Sequence, residues 1–581
     1  MWVTLIVFCL AILLAYSLGN YLAAVMQGRP MKTDRLFCWF EQPVYRILGV
    51  NPQSGMSVRH YINAFLMSSL LLLLVVCGIF MTQQWLPLNP NDAPNMNWDL
   101  ALHTSISFLT NTNQQHYSGQ AQLSHLSQMT GIVGLQVITP MMGLALVVAT
   151  LRGLFYRHPQ NTADQNEAVE NSLNSHARPT TEVPVNVGNF WADVIRPACR
   201  FLIPLCVIWA LLLTSQGVPS TFAGGPIVQV LDQQAEPNDQ KIPLGPVAAM
   251  VASKQLGSNG GGWYGPNSAV PLENPTPLSN MLELLAILLI PMSVIFMIGK
   301  FTQRKKFMLM VLGSMLLMSV LSTGLALWSE GYSATSHSMS LMEGKEVRFG
   351  ADASALWLAL TTQVNNGSVN MMHDSAAPLT GLVALSNMLI NTIWGGVGCG
   401  LQQFIVYLLL AVFVAGLMTG RTPELFGRKI EAYEIKLLAV LIVLQPLVIL
   451  GFTAVTLWFP AITVHSNPAF HGISQVFYEY VSAFANNGSG FEGLGDNTLW
   501  WNLSCSIVLL LGRYPALIIP LLIAASLAGK RHAPESTGSL QVETPTFALT
   551  LVAIVVILTL LQFMPVLVLG PVADHVLLVG S

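Results

Sequence analysis

Residues 474–490 read SQVFYEYVSAFANNGSG: an apolar stretch too short to cross a membrane runs into Asn486-Asn487-Gly488. Apolar runs at 437–458 and 501–528 lie on either side, each near the roughly 20 residues that a bilayer-spanning helix needs. The same arrangement occurs three times upstream. Thr110-Asn111-Thr112, Ser258-Asn259-Gly260 and Asn365-Asn366-Gly367 each follow a short apolar stretch (around 101–109, 246–257 and 353–363) and each sits between two membrane-length runs. A single Asn-Gly pair is an ordinary turn. Four such loops in step with the spans, roughly 110–150 residues apart, make an internal repeat of span, re-entrant loop, span.

The composition requires a membrane. Hydrophobic residues make up 53% of the chain and charged residues 9%, whereas soluble domains carry about 25% charged residues. Runs of spanning length lie near 2–26, 61–83, 130–151, 198–216, 280–299, 307–328, 382–420, 437–458, 501–528 and 546–571. The first is too long for a signal peptide, with no basic start and no small-residue cleavage site, and is read as a span. The predicted fold is an all-α polytopic membrane protein of about ten transmembrane helices, built as four span–pore loop–span pseudo-repeats. Its parts are an extra N-terminal helix (1–27), repeat 1 (60–152), a cytoplasmic linker (153–196), repeat 2 (197–300), repeat 3 (307–420), repeat 4 (436–529) and a C-terminal helix (545–571). Within the linker, 156–186 is rich in Asn, Thr, Pro and Glu, cannot bury a core, and is expected to be a flexible insertion. The seven cysteines are scattered without metal-like spacing and read as small buried hydrophobes.

Basic residues collect on the cytoplasmic side and so give the orientation. Arg29, Lys32, Arg35, Arg46 and Arg59 fill one connection, Lys300, Arg304, Lys305 and Lys306 the next, Arg421, Arg428, Lys429 and Lys436 a third, and Lys530-Arg531 the last. The stretches 83–130 and 461–499 contain no Lys or Arg. Ten spans then put both termini and all four loops outside.

The loops have the chemistry of a selective cation pathway on the plan of a potassium-channel pore. A dehydrated cation must exchange its water shell for oxygen ligands, and backbone carbonyls supply them in fixed positions. Aiming successive carbonyls at one axis needs backbone angles that Gly adopts freely and Asn at some cost. Gly260 with Gly261, Gly367, and Gly488 provide these in three loops; Thr112 stands in the corresponding place in the first, so the pore is expected to be asymmetric.

Two features below the loops bear on gating. Arg513 interrupts the apolar run 501–528, where a central charge costs about 3 kcal/mol; a cation placed below the loops would repel the permeating ion. The run 382–420 is too long for a simple span and contains Gly395-Gly396-Val397-Gly398, so a broken helix forming a gating loop is expected there. Arg421 sits at the cytoplasmic end and is a candidate for closing the lower gate. His373-Asp374 has no accompanying nucleophile and is expected to brace the loop behind Gly367. Glu283 is placed at headgroup level. The chain has no Gly-x-x-x-x-Gly-Lys-Ser/Thr phosphate loop and no Asp-Lys-Thr-Gly phosphorylation motif, so it carries no catalytic or nucleotide site of those kinds.

At this level of detail the residues resemble a known family. Thr110-Asn111-Thr112-Asn113 with Gln115 and Tyr117-Ser118-Gly119, Leu256-Gly257-Ser258-Asn259-Gly260-Gly261-Gly262 with Glu273-Asn274-Pro275-Thr276, Asn366-Gly367 with Met372-His373-Asp374-Ser375, and Ala485-Asn486-Asn487-Gly488-Ser489 with Gly512-Arg513 are similar to motifs of the potassium-transporting ATPase A subunit, KdpA, of bacterial Kdp complexes. Departures are Gln114 for a usual Trp, Trp263-Tyr264-Gly265-Pro266 for Phe-Phe-Asn-Ala, and Asn365-Asn366 for Ser-Cys.

The resemblance implies a K+ selectivity filter made by Thr110, Asn111, Thr112, Asn113, Ser258, Asn259, Gly260, Gly261, Asn365, Asn366, Gly367, Asn486, Asn487 and Gly488, with Gln115 at its mouth. It implies a gate and leak barrier of Gly395, Gly396, Gly398, Arg421 and Arg513. The expected function is potassium binding and translocation within an ATP-driven uptake pump, with K+ as the transported ion and no nucleotide bound by this chain. Implied partners are a KdpB-like P-type ATPase subunit, single-span KdpC-like and KdpF-like subunits and membrane lipid, with no nucleic acid, in a bacterial inner membrane. The alternative is a stand-alone transporter of the Trk, Ktr or HKT kind, which shares the four-repeat plan.

Overall fold

The computed structural model describes residues 2–155, 185–232, 236, 239–333, 342–463, 466–532 and 540–580. Nearly all of the 156–186 insertion lies outside them. Ten helices among the described residues are long and apolar enough to cross a membrane. They are Trp2–Met26, Val58–Trp85, Ser127–Leu154, Phe190–Ser215, Pro277–Phe301, Lys305–Tyr332, Cys399–Met418, Ala432–Trp458, Leu499–Ala528 and Pro545–Gly580. Among the described residues, strands are confined to two short hairpins, Ile227–Gln229 with Asp239–Lys241 and Glu424–Leu425 with Arg428–Lys429.

Helix starts follow local capping chemistry. Thr276 accepts the N–H of Ser279 and is followed by Pro277, whose missing N–H and fixed φ suit a first helical position. Thr544 before Pro545 repeats the device, and Thr498 caps Leu499–Ala528.

Burial separates the two spans of each repeat. The second spans (Ser127–Leu154, Pro277–Phe301, Cys399–Met418, Leu499–Ala528) are 78, 89, 61 and 50% buried, while the first spans are 28, 33, 39 and 28% buried. The second spans therefore form the inner wall and the first spans face lipid, where apolar side chains need no partner. Pro277–Phe301 is the most enclosed because the extra N-terminal helix covers it. Gly19 lies so close that a Cβ would come within 2.6 Å of Phe296 Cβ, and Tyr16 meets the Phe296 ring edge-on at 5.6 Å.

Within repeat 3 the long apolar run divides into Pro378–Ile390 and Cys399–Met418, joined by non-helical backbone at 391–398. Asn391 ends the first piece in the left-handed conformation (φ 51), and Gly395, Gly396 and Gly398 follow at φ 57, 76 and 90. Backbone of this kind is tolerated at membrane depth only inside protein or beside a watery cavity. It is held by the N–H groups of Trp394 and Gly395, both donating to the carbonyl of Gln363 at 3.1 and 3.0 Å.

At the end of the helices away from the four loops, Arg152 pairs with Asp193 at 2.5 Å and Arg200 with Asp34 and Glu41 at 2.5 Å. Arg428 donates to the carbonyls of Gly153 and Leu154 at 3.1 and 2.6 Å, satisfying the end of Ser127–Leu154.

Candidate functional site

Four short helices, Trp98–Leu109, Val247–Leu256, Ala351–Val364 and Ala469–Ala485, precede the four loops. All four end in the same way. Asn111, Ser258, Asn365 and Asn486 adopt the left-handed conformation with φ of 62, 52, 54 and 56. The N–H of the next residue then reaches back five positions: Thr112 to Ser107 at 3.0 Å, and Asn259 to Lys254, Asn366 to Thr361 and Asn487 to Ser482, each at 2.9 Å. This bond after a left-handed residue is the Schellman closure of a helix C-terminus.

The closure fixes the register between repeats and corrects one reading from sequence. Asn111-Thr112-Asn113 corresponds to Ser258-Asn259-Gly260, Asn365-Asn366-Gly367 and Asn486-Asn487-Gly488. The residue opposite the glycines is Asn113 (φ 59), not Thr112. Asparagine enters the left-handed region more readily than other side-chain-bearing residues, so it can occupy a glycine position.

The loops pack edge to edge in a closed circuit. A Cβ on Gly260 would lie 2.5 Å from the carbonyl oxygen of Asn366; on Gly367 it would collide with that of Asn487, and on Gly488 with that of Thr112. Gly367 and Gly488 also have φ of 86 and 102. At the remaining seam, between loops 1 and 2, Asn113 carries the Cβ and the facing residue is Gly261.

Asparagine side chains fasten each loop to its neighbour. Asn366 Nδ2 donates to the Lys254 carbonyl at 3.1 Å and Asn487 Nδ2 to that of Thr361 at 3.0 Å, so loops 3 and 4 each grip the closure of the preceding helix. Asn111 Nδ2 donates to the Ser258 carbonyl and Asn486 Nδ2 to Thr112 Oγ1, both at 3.0 Å. Gly367 and Gly488 donate their N–H groups to Thr361 Oγ1 and Ser482 Oγ at 2.9 and 3.0 Å. With those N–H groups taken up by hydroxyls, the carbonyls of Gly367 and Gly488 are the backbone groups there left to serve as ligands. Above the ring, Gln115 bridges loops 1 and 2, accepting from the Gly262 N–H at 2.9 Å and donating to its carbonyl at 3.1 Å.

Directly beneath the ring is a cavity of about 30 Å³, enough for one or two waters. Asn111, Ser258, Asn365 and Asn486, the four left-handed residues, line its roof. Gly395, Gly396 and Cys399 of the broken helix and Arg513 line the remainder. Arg513 is 6% exposed, and no carboxylate pairs with it among the described residues. Its Nη1 donates to Cys399 Sγ at 2.8 Å. Gly398 lies just behind the cavity, its missing side chain giving room to Val147. Arg421 does not join the group: it is exposed beyond Met418, with its N–H donating to the Gly416 carbonyl. A gate role for Arg421 has no geometric support.

Several supporting residues were not legible in sequence. Glu283, expected at headgroup level, is fully buried; it accepts from Gln255 Nε2 at 2.8 Å and Ser268 Oγ at 2.6 Å. Lys254 beside it pairs with Glu273 and donates to Ser268 at 2.9 Å. A buried pair of this kind is costly unless both ions are hydrogen-bonded, and here both are. His373 braces loop 4 rather than the loop behind Gly367: its Nδ1 meets the Tyr478 hydroxyl at 3.0 Å, and that hydroxyl meets Ser489 Oγ at 2.9 Å. Asn391 and Gln403, also in the cavity wall, carried no sequence signal beyond their polarity.

Fold and site together define an all-helical, multi-pass membrane protein of four pseudo-equivalent span–loop–span repeats converging on one buried ring. The family model for the potassium-transporting ATPase A subunit, KdpA, matches residues 5–576, and the chain belongs to that family. It is 42% identical over 572 residues to a potassium-transporting ATPase potassium-binding subunit of Gloeobacter violaceus, covering 96% of this chain and 95% of that one. A protein of the same description from Pseudomonas fluorescens is 41% identical over 583 residues, covering 99% and 98%. Among solved structures, the potassium transporter TrkH from Vibrio parahaemolyticus aligns over 90% of this chain and 98% of its own, with 14% identity and a TM-score of 0.47.

Proposed function

We propose that the ring of loops is a potassium selectivity filter and that this chain is the potassium-binding, ion-conducting subunit of an ATP-driven uptake pump. The observation that carries the reading is the fourfold recurrence of one backbone closure in loops that pack against one another through their carbonyls and glycines. In this reading K+ enters from outside, sheds water onto backbone oxygens of Asn111–Asn113, Ser258–Gly260, Asn365–Gly367 and Asn486–Gly488, and reaches the cavity below.

Arg513 then faces the ion with an uncompensated positive charge, and the 391–398 segment obstructs the direct path to the cytoplasm. Repulsion between two unit charges about 6–8 Å apart is worth about 2–3 kcal/mol at the effective dielectric of protein sites. That is enough to slow straight-through leakage by about 30- to 150-fold. The ion would be diverted to a P-type ATPase subunit, with KdpC-like and KdpF-like subunits completing the complex in a bacterial inner membrane. Both termini and the loops would lie outside.

The test is K+-stimulated ATP hydrolysis by the complex purified through this chain, beside its Gly488→Ser variant. Stimulation in the micromolar range, displaced to much higher potassium in the variant, supports the reading. Potassium flux through the chain alone in liposomes, with no co-purifying ATPase, would move it to the stand-alone transporters.

A further inference from the structure

Behind the seam between loops 1 and 4 lies a buried cluster that the filter does not use. His116 follows the first loop, Glu479 sits on the fourth short helix, and Cys505 on Leu499–Ala528. All three are buried, and one ligand atom from each lies within 4.8 Å of the others. The residues are remote in sequence, so their spacing could not have revealed the set.

The hydrogen bonds around His116 define what fits between these groups. Asn502 Nδ2 donates to Asp99 Oδ2 at 2.9 Å, which orients the amide and leaves its Oδ1 facing His116 Nδ1 at 2.8 Å. His116 therefore carries a proton on Nδ1, and its Nε2 faces Glu479 Oε1, 3.3 Å away. Either a proton on Nε2 or a metal ion satisfies this contact, and the Cys505 thiol beside it adds the donor that a metal would use. Donors sharing a tetrahedral zinc at about 2.1 Å stand about 3.4 Å apart, so the present separation already suits one ion. The Asn502–His116 bond is the outer-shell contact that commonly orients a ligating imidazole.

Asp496 Oδ2 lies 3.9 Å from the same Nε2, outside that set of three, and its side chain is 29% exposed, which marks a way in from the surface. On the other face of His116, the His103 ring stacks at 3.7 Å and 14°, holding the imidazole plane in place.

We propose that His116, Glu479 and Cys505 form a binding site for a zinc-class divalent metal ion, with Asp496 at its entrance. A mixed nitrogen, carboxylate and sulfur donor set selects zinc over magnesium or calcium, which take oxygen ligands. On binding, the Cys505 thiol releases its proton to water and the thiolate takes up the metal. The charges of Glu479 and the thiolate then balance the ion in a buried setting. The metal would clamp the segment after loop 1 to the helices that carry and follow loop 4. Gln114, directly after Asn113, already donates to Glu479.

The experiment uses the full complex, freed of metal by chelation, in a choline buffer without potassium, so that the outcome is independent of the filter assignment. After exposure to Zn2+ alone and gel filtration, metal content is measured for wild type, His116→Ala and Cys505→Ser. The expected result is about one zinc per chain in wild type and its loss in both variants. Wild-type protein loaded with Co2+ should show a thiolate-to-cobalt charge-transfer band. Zinc retention no greater in wild type than in the Cys505→Ser complex overturns the proposal. Should a variant fail to assemble, a wild-type cobalt spectrum lacking the thiolate band overturns it unaided.

Discussion

Arg513 Nη1 donates a hydrogen bond to Cys399 Sγ at 2.8 Å, joining the inner helix of repeat 4 to the first residue after the break in repeat 3. A thiol neutralises none of the guanidinium charge. Among the described residues Arg513 therefore has no counter-charge and stands as a cation in the wall of the cavity, held in place by a neutral partner.

Removing that charge while keeping a polar side chain should open a leak. Arg513→Gln is expected to raise passive potassium efflux from vesicles containing the complex by about 30- to 150-fold, as the loss of about 2–3 kcal/mol of repulsion implies. ATP hydrolysis should then outrun net uptake. An efflux and coupling ratio unchanged from wild type would return Arg513 to a purely structural role.

Glycine substitutions should sort by what surrounds them. A side chain at Gly488 must displace the Thr112 carbonyl and also occupy φ 102, which L-residues disfavour by about 1–2 kcal/mol. Gly488→Ser and Gly367→Ser should raise the half-saturating potassium concentration at least about tenfold and weaken discrimination against sodium. Gly451 has nothing within 4 Å of an added Cβ and lies in a helix. Gly451→Ala should leave both quantities unchanged, since it only improves helix propensity. Equal potassium dependence in Gly488→Ser and Gly451→Ala would falsify the filter assignment.

The Lys254–Glu273 pair should behave as a unit. Lys254→Met leaves Glu273 and Glu283 buried with one fewer cation, a loss of about 3–5 kcal/mol. Yield of assembled complex should fall sharply. The double variant Lys254→Met/Glu273→Gln should recover much of that loss, measured as thermal midpoint in detergent. Additive effects of the two single changes would show that the pair is not coupled.

His471 ties the C-terminal helix to the short turn His373–Ser375. Its Nε2 meets Asp374 Oδ1 and its Nδ1 meets Asp574 Oδ2, each at 2.9 Å. Burial lowers the imidazole pKa, but hydrogen bonds and charge from the two aspartates outweigh it and raise the pKa to about 9. A raised pKa means that the contribution is whole below the unfolded value of about 6.5 and fades as pH climbs through 9, by at most about 3 kcal/mol. The segment Ala573–Gly580 should become protease-sensitive between pH 7 and 9.5 in wild type. In His471→Gln the sensitivity should be present throughout and independent of pH. A flat wild-type profile would remove the switch-like character of this contact.

Spans and pore loops were legible in sequence because each rests on local rules: about 20 apolar residues per crossing, and Asn or Gly where the chain must turn left-handed. Asn113 shows the limit. Its residue type does not say which of four consecutive polar residues closes the helix; the bond from the Thr112 N–H to Ser107 does. Glu283 shows another. A carboxylate near a helix end looks like a headgroup residue until Gln255 of the second short helix and Ser268 of the segment after its loop enclose it.

The sequence by itself determined a four-repeat membrane pore, because hydropathy, span length and the positions of Asn and Gly act within about 30 residues of one another. Only the tertiary structure decided which loop touches which, that Arg513 shares a cavity with the 391–398 break while Arg421 stands outside it, and that His116, Glu479 and Cys505 converge. Those relations join residues more than a hundred positions apart in most cases. They are fixed by how the inner helices pack, and no local propensity encodes that.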